Sequence, residues 1–259
     1  TISLFEPLPG AVKDAQMVAH RLKELEFVVR KLENQSKSEL EREVTAWTRT
    51  LPENAHVLVF LSGHGMELKG ERYFVPVDYG KHDVSTIEAT AKANCVTLQW
   101  IFERIYSVLQ QDGLLMAFWD CCREDALKQA EHPRVVRAKA ADESDIDALI
   151  RGMAQLKKKL AQEHYPLASW VCVYASSTAS RAFEHGDCGV LTSALLAWWR
   201  DPEHASFSIG DDKVRHFVTQ HVEALEEKQK PVWESCGIAR FSFKAADESD
   251  IDSRVAFNL

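Results

Sequence analysis

AHVLVFLSGHG, residues 55–65, decides the fold. Its centre, Val57 to Leu61, is an uninterrupted apolar run that stops at Ser62-Gly63. A run without polar alternation suits a strand buried on both faces, as in parallel sheets covered by helices. Two further runs share this character: GLLMAFWDCC at 113–122, and SWVCVYASS at 169–177, after Pro166. Helical patterns lie between and around them. Residues 11–27 place Val12, Ala15, Val18, Ala19, Leu22, Leu25 and Phe27 on one stripe. Lys37 to Arg49 forms a second amphipathic helix, ended by Leu51-Pro52, and others are expected at Leu98–Leu109, Gly189–Trp199 and Asp211–Glu227. EFVVRKLE (26–33) reads as a short strand and ARFSF (239–243) as a final one. Buried strands alternating with helices give an α/β fold with a largely parallel central sheet.

Composition narrows the function. The 259 residues are 46% hydrophobic, with 12 Phe and 7 Trp, ample for a buried core and unlike a disordered chain. A net charge of −8 argues against nucleic acid and favours cationic partners or substrates. No apolar run approaches the roughly 20 residues of a membrane helix. Six cysteines, two of them adjacent, are too few for a disulfide framework and read as reduced intracellular thiols, which points to the cytoplasm. The chain opens on Thr1 without a signal peptide, and is read as a fragment. Neither GxxxxGK[ST] nor GxGxxG occurs, and Cys and His lack paired ligand spacing, so neither nucleotide nor zinc is expected. Trp198-Trp199 and Trp233 read as core or interface.

The most charged stretch lies between Glu124 and Pro166 and includes RGMAQLKKKLAQEH at 151–164. It reads as a solvated loop with a surface helix, or as a cleavable insert. The nonamer KAADESDID occurs at Lys139–Asp147 and again, unchanged, at Lys244–Asp252. Structural repeats conserve pattern rather than identity, so this pair reads as a duplicated or engineered linker. SRVAFNL, a short β-like stretch, follows the second copy.

Reactive groups in open α/β sheets gather beyond the carboxyl ends of the parallel strands. The three apolar runs end in Ser62-Gly63-His64-Gly65, Asp120-Cys121-Cys122-Arg123 and Ser176-Ser177-Thr178. A histidine and a cysteine on neighbouring strand ends can share a proton and yield a thiolate nucleophile. The Gly65 amide is placed to stabilise an oxyanion.

LVFLSGHG followed by Cys122, 58 residues beyond His64, resembles the caspase-like cysteine peptidases. Asp-Cys-Cys-Arg departs from the Gln-Ala-Cys-Arg-Gly of true caspases. Asp-x-Cys is the metacaspase and paracaspase form, and Asp-x-Cys-Arg is closest to paracaspases. RYFVPVD (72–78) and RAFE followed by GVLTSALL (181–196) fit the same pattern, and the resemblance covers about 8–125 and 167–243. It implies a caspase-like α/β/α sandwich with a mostly parallel six-stranded sheet, His64 as general base and Cys122 as nucleophile. Cys121 competes, but only Cys122 has Asp two residues before it and Arg just after. The relatives with Asp-x-Cys hold a basic P1 residue with acids. Asp120, Asp14 in GAVKDA and Glu184 in RAFE match those positions and would favour Arg over Lys.

The implied organisation is one domain, 1–259. It comprises a large-subunit-like part (1–125), a charged inter-subunit loop (126–166), a small-subunit-like part (167–243), the repeat linker (244–252) and a displaced first strand (253–259). The family's first strand should precede the first helix, yet this chain starts within the following loop. Arg254–Leu259 is therefore expected to fill that slot, since nine extended linker residues reach roughly 30 Å against about 4.8 Å per strand. The expected activity is a cysteine endopeptidase acting on proteins or peptides after Arg, self-processing within 126–166, and pairing as a homodimer through its last strand. Metacaspases commonly need calcium. Asp78, Asp83, Asp211 and Asp212 form no loop of alternating oxygens, so no cofactor is expected. The rival readings are a calcium-dependent metacaspase-type protease and a catalytically silent scaffold on the same fold.

Overall fold

The computed structural model describes residues 8–68, 71–80, 87–110, 112–121, 124–125, 169–177, 182–226, 228–236, 241–243 and 254–259. The chain runs α1 (Pro9–Glu24), β1 (Val28–Lys31), α2 (Lys37–Thr48), β2 (His56–Gly63), β3 (Gly65–Leu68), β4 (Glu71–Phe74), α3 (Ile87–Asn94) and β5 (Val96–Thr97). It continues through α4 (Leu98–Tyr106), β6 (Leu114–Cys121), β7 (Glu124–Asp125), β8 (Ser169–Tyr174), β9 (Glu184–His185) and β10 (Cys188–Gly189). α5 (Val190–Arg200), α6 (Asp212–Leu225), β11 (Val232–Cys236) and β12 (Arg254–Asn258) complete it.

The three apolar runs become β2, β6 and β8, the middle of a six-stranded sheet ordered β1-β12-β2-β6-β8-β11. All pairings are parallel except that of β11 with β8. Successive side chains alternate between faces. Leu58, Phe60, Met116 and Phe118 therefore enter one core with α1, α5 and α6. Val57, Val59, Leu61, Leu115, Ala117 and Trp119 enter a second core with α2 and α4. This is the α/β/α sandwich read from the sequence. A smaller sheet, β5-β4-β3-β7, extends beyond the ends of the central strands.

Local chemistry sets the helix limits. Glu26 takes a left-handed backbone (φ 64°). Glu26 N then donates to Lys23 O (3.1 Å) and Phe27 N to Leu22 O (3.0 Å), the paired closure that stops α1 before Phe27. Ser36 and Glu39 form a reciprocal capping box on α2, and Asp78 Oδ1 accepts from Lys37 N at 2.8 Å in the same turn. Asp211 caps α6. Two of the four acids weighed for calcium thus serve helix starts.

β12 lies inside the sheet, with Val255 opposite Val28 on one side and Val57 on the other. Its five residues are buried, Phe257 packs on Trp47 with ring centroids 4.8 Å apart, and Asn258 Nδ2 donates to Ala15 O (2.8 Å). Beyond it, Ser62 N donates to Leu259 O at 3.0 Å.

One expected strand is corrected. Phe241 to Phe243, the described part of ARFSF, form no strand. Both rings are buried among Phe27, Trp198 and Trp199, and Ile209 N bonds Phe241 O at 2.8 Å in place of a ladder. The edge strand is Val232–Cys236 instead. Its Glu234 and Ser235 interrupt the apolar pattern, as an antiparallel edge permits. Both KAADESDID copies and the 126–166 loop lie outside the described residues. Among the described residues no helix is long and apolar enough to cross a membrane.

Candidate active site

β2 ends in Gly63, whose φ of 154° suits only glycine, and a Cβ there would lie 3.2 Å from the Phe74 ring. His64 leaves the sheet at this point and β3 starts at Gly65. Val75 N donates to His64 O at 3.0 Å, fixing the histidine backbone between β2 and the β3–β4 pair. Gly65 is buried, opposite Phe74 in that pair.

Cys122 lies outside the described residues, but its flanks are placed. Gly63 pairs with Cys121 in the main sheet, and Met66 pairs with Glu124 in the small one. Backbone pairing therefore joins the chain just before and just after His64 to the chain just before and just after residue 122. Cys121 belongs to the core: it is fully buried, and its Sγ lies 3.6 Å from Leu61 O.

The acids come from three directions. Asp120, on β6, faces α1 and α5, is 6% exposed, and accepts from Thr192 N (2.9 Å) and Thr192 Oγ1 (2.6 Å). Asp14, on α1, is 2% exposed and accepts from Gly189 N (2.9 Å) and Ser62 Oγ (2.8 Å). Glu184 stands exposed on the β9–β10 hairpin. Two glycines let the three converge. A Cβ on Gly189 would overlap the Asp120 carboxylate and lie 2.9 Å from Asp14 Oδ2, and one on Gly10 would overlap the Glu184 carboxylate. The result is a cluster of two buried acids with an exposed third beside the start of α1.

Gly189 and Thr192 begin α5, so Asp14 and Asp120 accept amides from its first turn, where a helix favours negative charge. Burial outweighs this help. It pushes the Asp120 carboxyl up to about 7, with the Asp14 and Glu184 charges adding to the rise. Burial also raises Asp14, against the pull of its bonds to Gly189, Cys188 and Ser62. Among the described residues no Lys or Arg contributes to either acid. The nearby Cys188 thiol is pushed up to about 12 by burial, which removes it as a rival thiolate. Among the described residues no His/Cys/Asp/Glu group is arranged to hold a metal ion.

Sequence reasoning singled out the acids and missed what shapes them: Gly10, Gly189, Thr192 and Ser62. A glycine three residues before a threonine at a helix start, as in GVLT, was the available signal. It also missed Arg72. That guanidinium lies on β4, buried, 3.2 Å from Glu234, 3.9 Å from Glu67, and 4.1 Å above the Tyr174 ring. It ties the β3–β4 pair beyond His64 to β8 and β11.

A family model described as the caspase domain matches residues 3–241. No curated protein matches the chain significantly. Among solved structures, caspase-1 from Spodoptera frugiperda superposes with a TM-score of 0.60 at 14% identity, over 95% of this chain and 87% of that one. Protein GSU0716 from Geobacter sulfurreducens superposes with a TM-score of 0.57 at 13% identity, over 90% of this chain and 89% of its own. At such identities these two likenesses speak for the fold.

Proposed function

Because the chain belongs to the caspase-domain family, we propose that it is a paracaspase-type cysteine endopeptidase cleaving after Arg and, less readily, Lys. The observation that supports the reading is the double pairing, Gly63 with Cys121 and Met66 with Glu124, which joins the chain on either side of His64 to the chain on either side of position 122. In this reading the Cys122 thiolate attacks the scissile carbonyl and the Gly65 and Cys122 amides hold the oxyanion. His64 protonates the departing amine, and water then releases the acyl group from sulfur. The P1 guanidinium enters the Asp14–Asp120–Glu184 cluster. Two buried acids without a cation favour a ligand that supplies one, and a planar fork satisfies several carboxylate oxygens at once. An ammonium is a poorer match, hence Arg over Lys. Basic sites between Arg134 and Lys159 make the 126–166 loop a candidate for self-cleavage, and the edge strand β11 is the surface for a homodimer.

Fluorogenic peptides that differ only at P1 test this. Arg should be turned over fastest, Lys more slowly and Asp negligibly, with at least a thousandfold loss in Cys122→Ala. Preference for P1 Asp, or undiminished turnover by Cys122→Ala, would refute it.

A further inference from the structure

Helix α1 has two neighbours at its N-terminal end. Gly10 and Asp14 face the carboxylate cluster, whereas Ala11, Val12 and Ala15 line a separate cavity of about 520 Å³. Most of its other walls are apolar: Leu32, Phe74, Val77 and Leu259. The volume falls within the roughly 300–1,000 Å³ that takes small ligands. Its polar rim is largely self-satisfied, for Gln35 Nε2 donates to Glu33 O (2.8 Å) and Val77 N donates to Gln35 O (3.2 Å). Val77 is 62% exposed, a large apolar side chain left facing solvent at the mouth.

Two residues of the candidate site line this cavity. Ser62 lines it while bonding Asp14, and His64 lines it directly. That contact identifies the occupant. The histidine delivers its proton to the amine leaving the scissile bond, so the residue carrying that amine must lie against His64. The P1 side chain turns the other way, toward the acids beyond α1. We infer that this cavity receives an apolar side chain on the residue immediately after the scissile bond, the P1′ residue. The inference rests on the proposed cleavage after Arg, and gives that substrate a two-part signature: a cation before the bond and a hydrophobe after it.

Turnover and binding test the two readings separately. Quenched peptides with P1 Arg and P1′ Leu should have at least tenfold higher kcat/KM than the same peptides with P1′ Gly. The exposed Val77 can change without disturbing the core, and Val77→Asp should bring that ratio close to one. Independently of turnover, the leaving-side peptide Leu-Ser-Gly-amide should bind Cys122→Ala at least tenfold tighter than Gly-Ser-Gly-amide by calorimetry. Val77→Asp should erase the difference. Equal binding of the two tripeptides by the Cys122→Ala protein overturns the inference, even where P1 Arg is required. A leucine advantage that Val77→Asp abolishes sustains it, even where P1 Arg proves not to be required for turnover.

Discussion

Two buried polar clusters lie near the ends of the central strands and treat charge in opposite ways. Around Arg72, one guanidinium is matched within the protein by Glu234, Glu67 and the Tyr174 hydroxyl and ring. Around Asp120 two carboxylates share one small volume, with hydroxyl and amide donors and, among the described residues, no cation. Burying a charge is tolerable when paired and costly when not. The first cluster is closed and its role is structural. The second holds no cation of its own among the described residues, and the proposed P1 guanidinium would supply one.

The comparison breaks if removing charge from the two clusters has the same effect. Arg72→Met leaves the buried Glu67 and the partly buried Glu234 without their cation. It should cost about 3–5 kcal/mol of stability by denaturant unfolding, and wild-type stability would show the cluster to be solvated and idle. Asp120→Asn should behave in reverse. Stability at neutral pH should hold or rise, because an uncompensated carboxylate has gone, while kcat/KM for P1 Arg peptides should fall about a hundredfold. Retained Arg turnover in that variant would detach the acids from specificity.

The pH dependence sharpens the same point. Asp120 titrates near 7 folded against 3.8 as its ordinary value, so between those values the folded state holds more protons than the unfolded one. Its contribution to stability therefore declines as pH rises from about 4 to about 7, and Asp14 acts in the same direction. In the proposed reading, affinity for a cationic P1 group should rise across the upper part of that window as Asp120 ionises. Melting curves at pH 5 and pH 7.5 should show a smaller drop in Asp120→Asn than in wild type, and an equal drop would contradict the assignment. The smallest effect is expected at the exposed acid: Glu184→Gln should lower Arg turnover only about two- to fivefold, since an exposed pair is screened by water.

These contrasts also mark what sequence could reveal. β2, β6 and β8 were legible because burial on both faces leaves no polar residue to interrupt the run. The family resemblance carried by GAVKDA, the Asp-Cys-Cys-Arg segment and RAFE pointed to Asp14, Asp120 and Glu184, and the structure places these three carboxylates near one another. β11 was not legible, because an edge strand carrying Glu234 looks polar, whereas Phe241 and Phe243 alternate like a strand yet pack as an irregular segment, Phe241 on Phe27 and Phe243 on Trp198 and Trp199. Gly10 and Gly189 were silent for a different reason. Their importance comes from carboxylates on distant elements that occupy the space where a Cβ would sit. Arg72 likewise acquires partners only when residues 174 and 234 arrive beside it.

The inner position of β12 carries a consequence for timing. Val57 finds its neighbour at Val255, 198 residues further along (255 − 57), so the sheet closes only after a long loop has met its entropy cost. Until residues 254–259 have been synthesised, β1 and β2 share no common neighbour, and Ser62, the donor to Asp14, lacks its anchor at Leu259 O. The backbone that presents Ser62 to Asp14 is thus completed only once residues 254–259 have paired beside β2, so the two buried acids acquire their full set of donors late in folding.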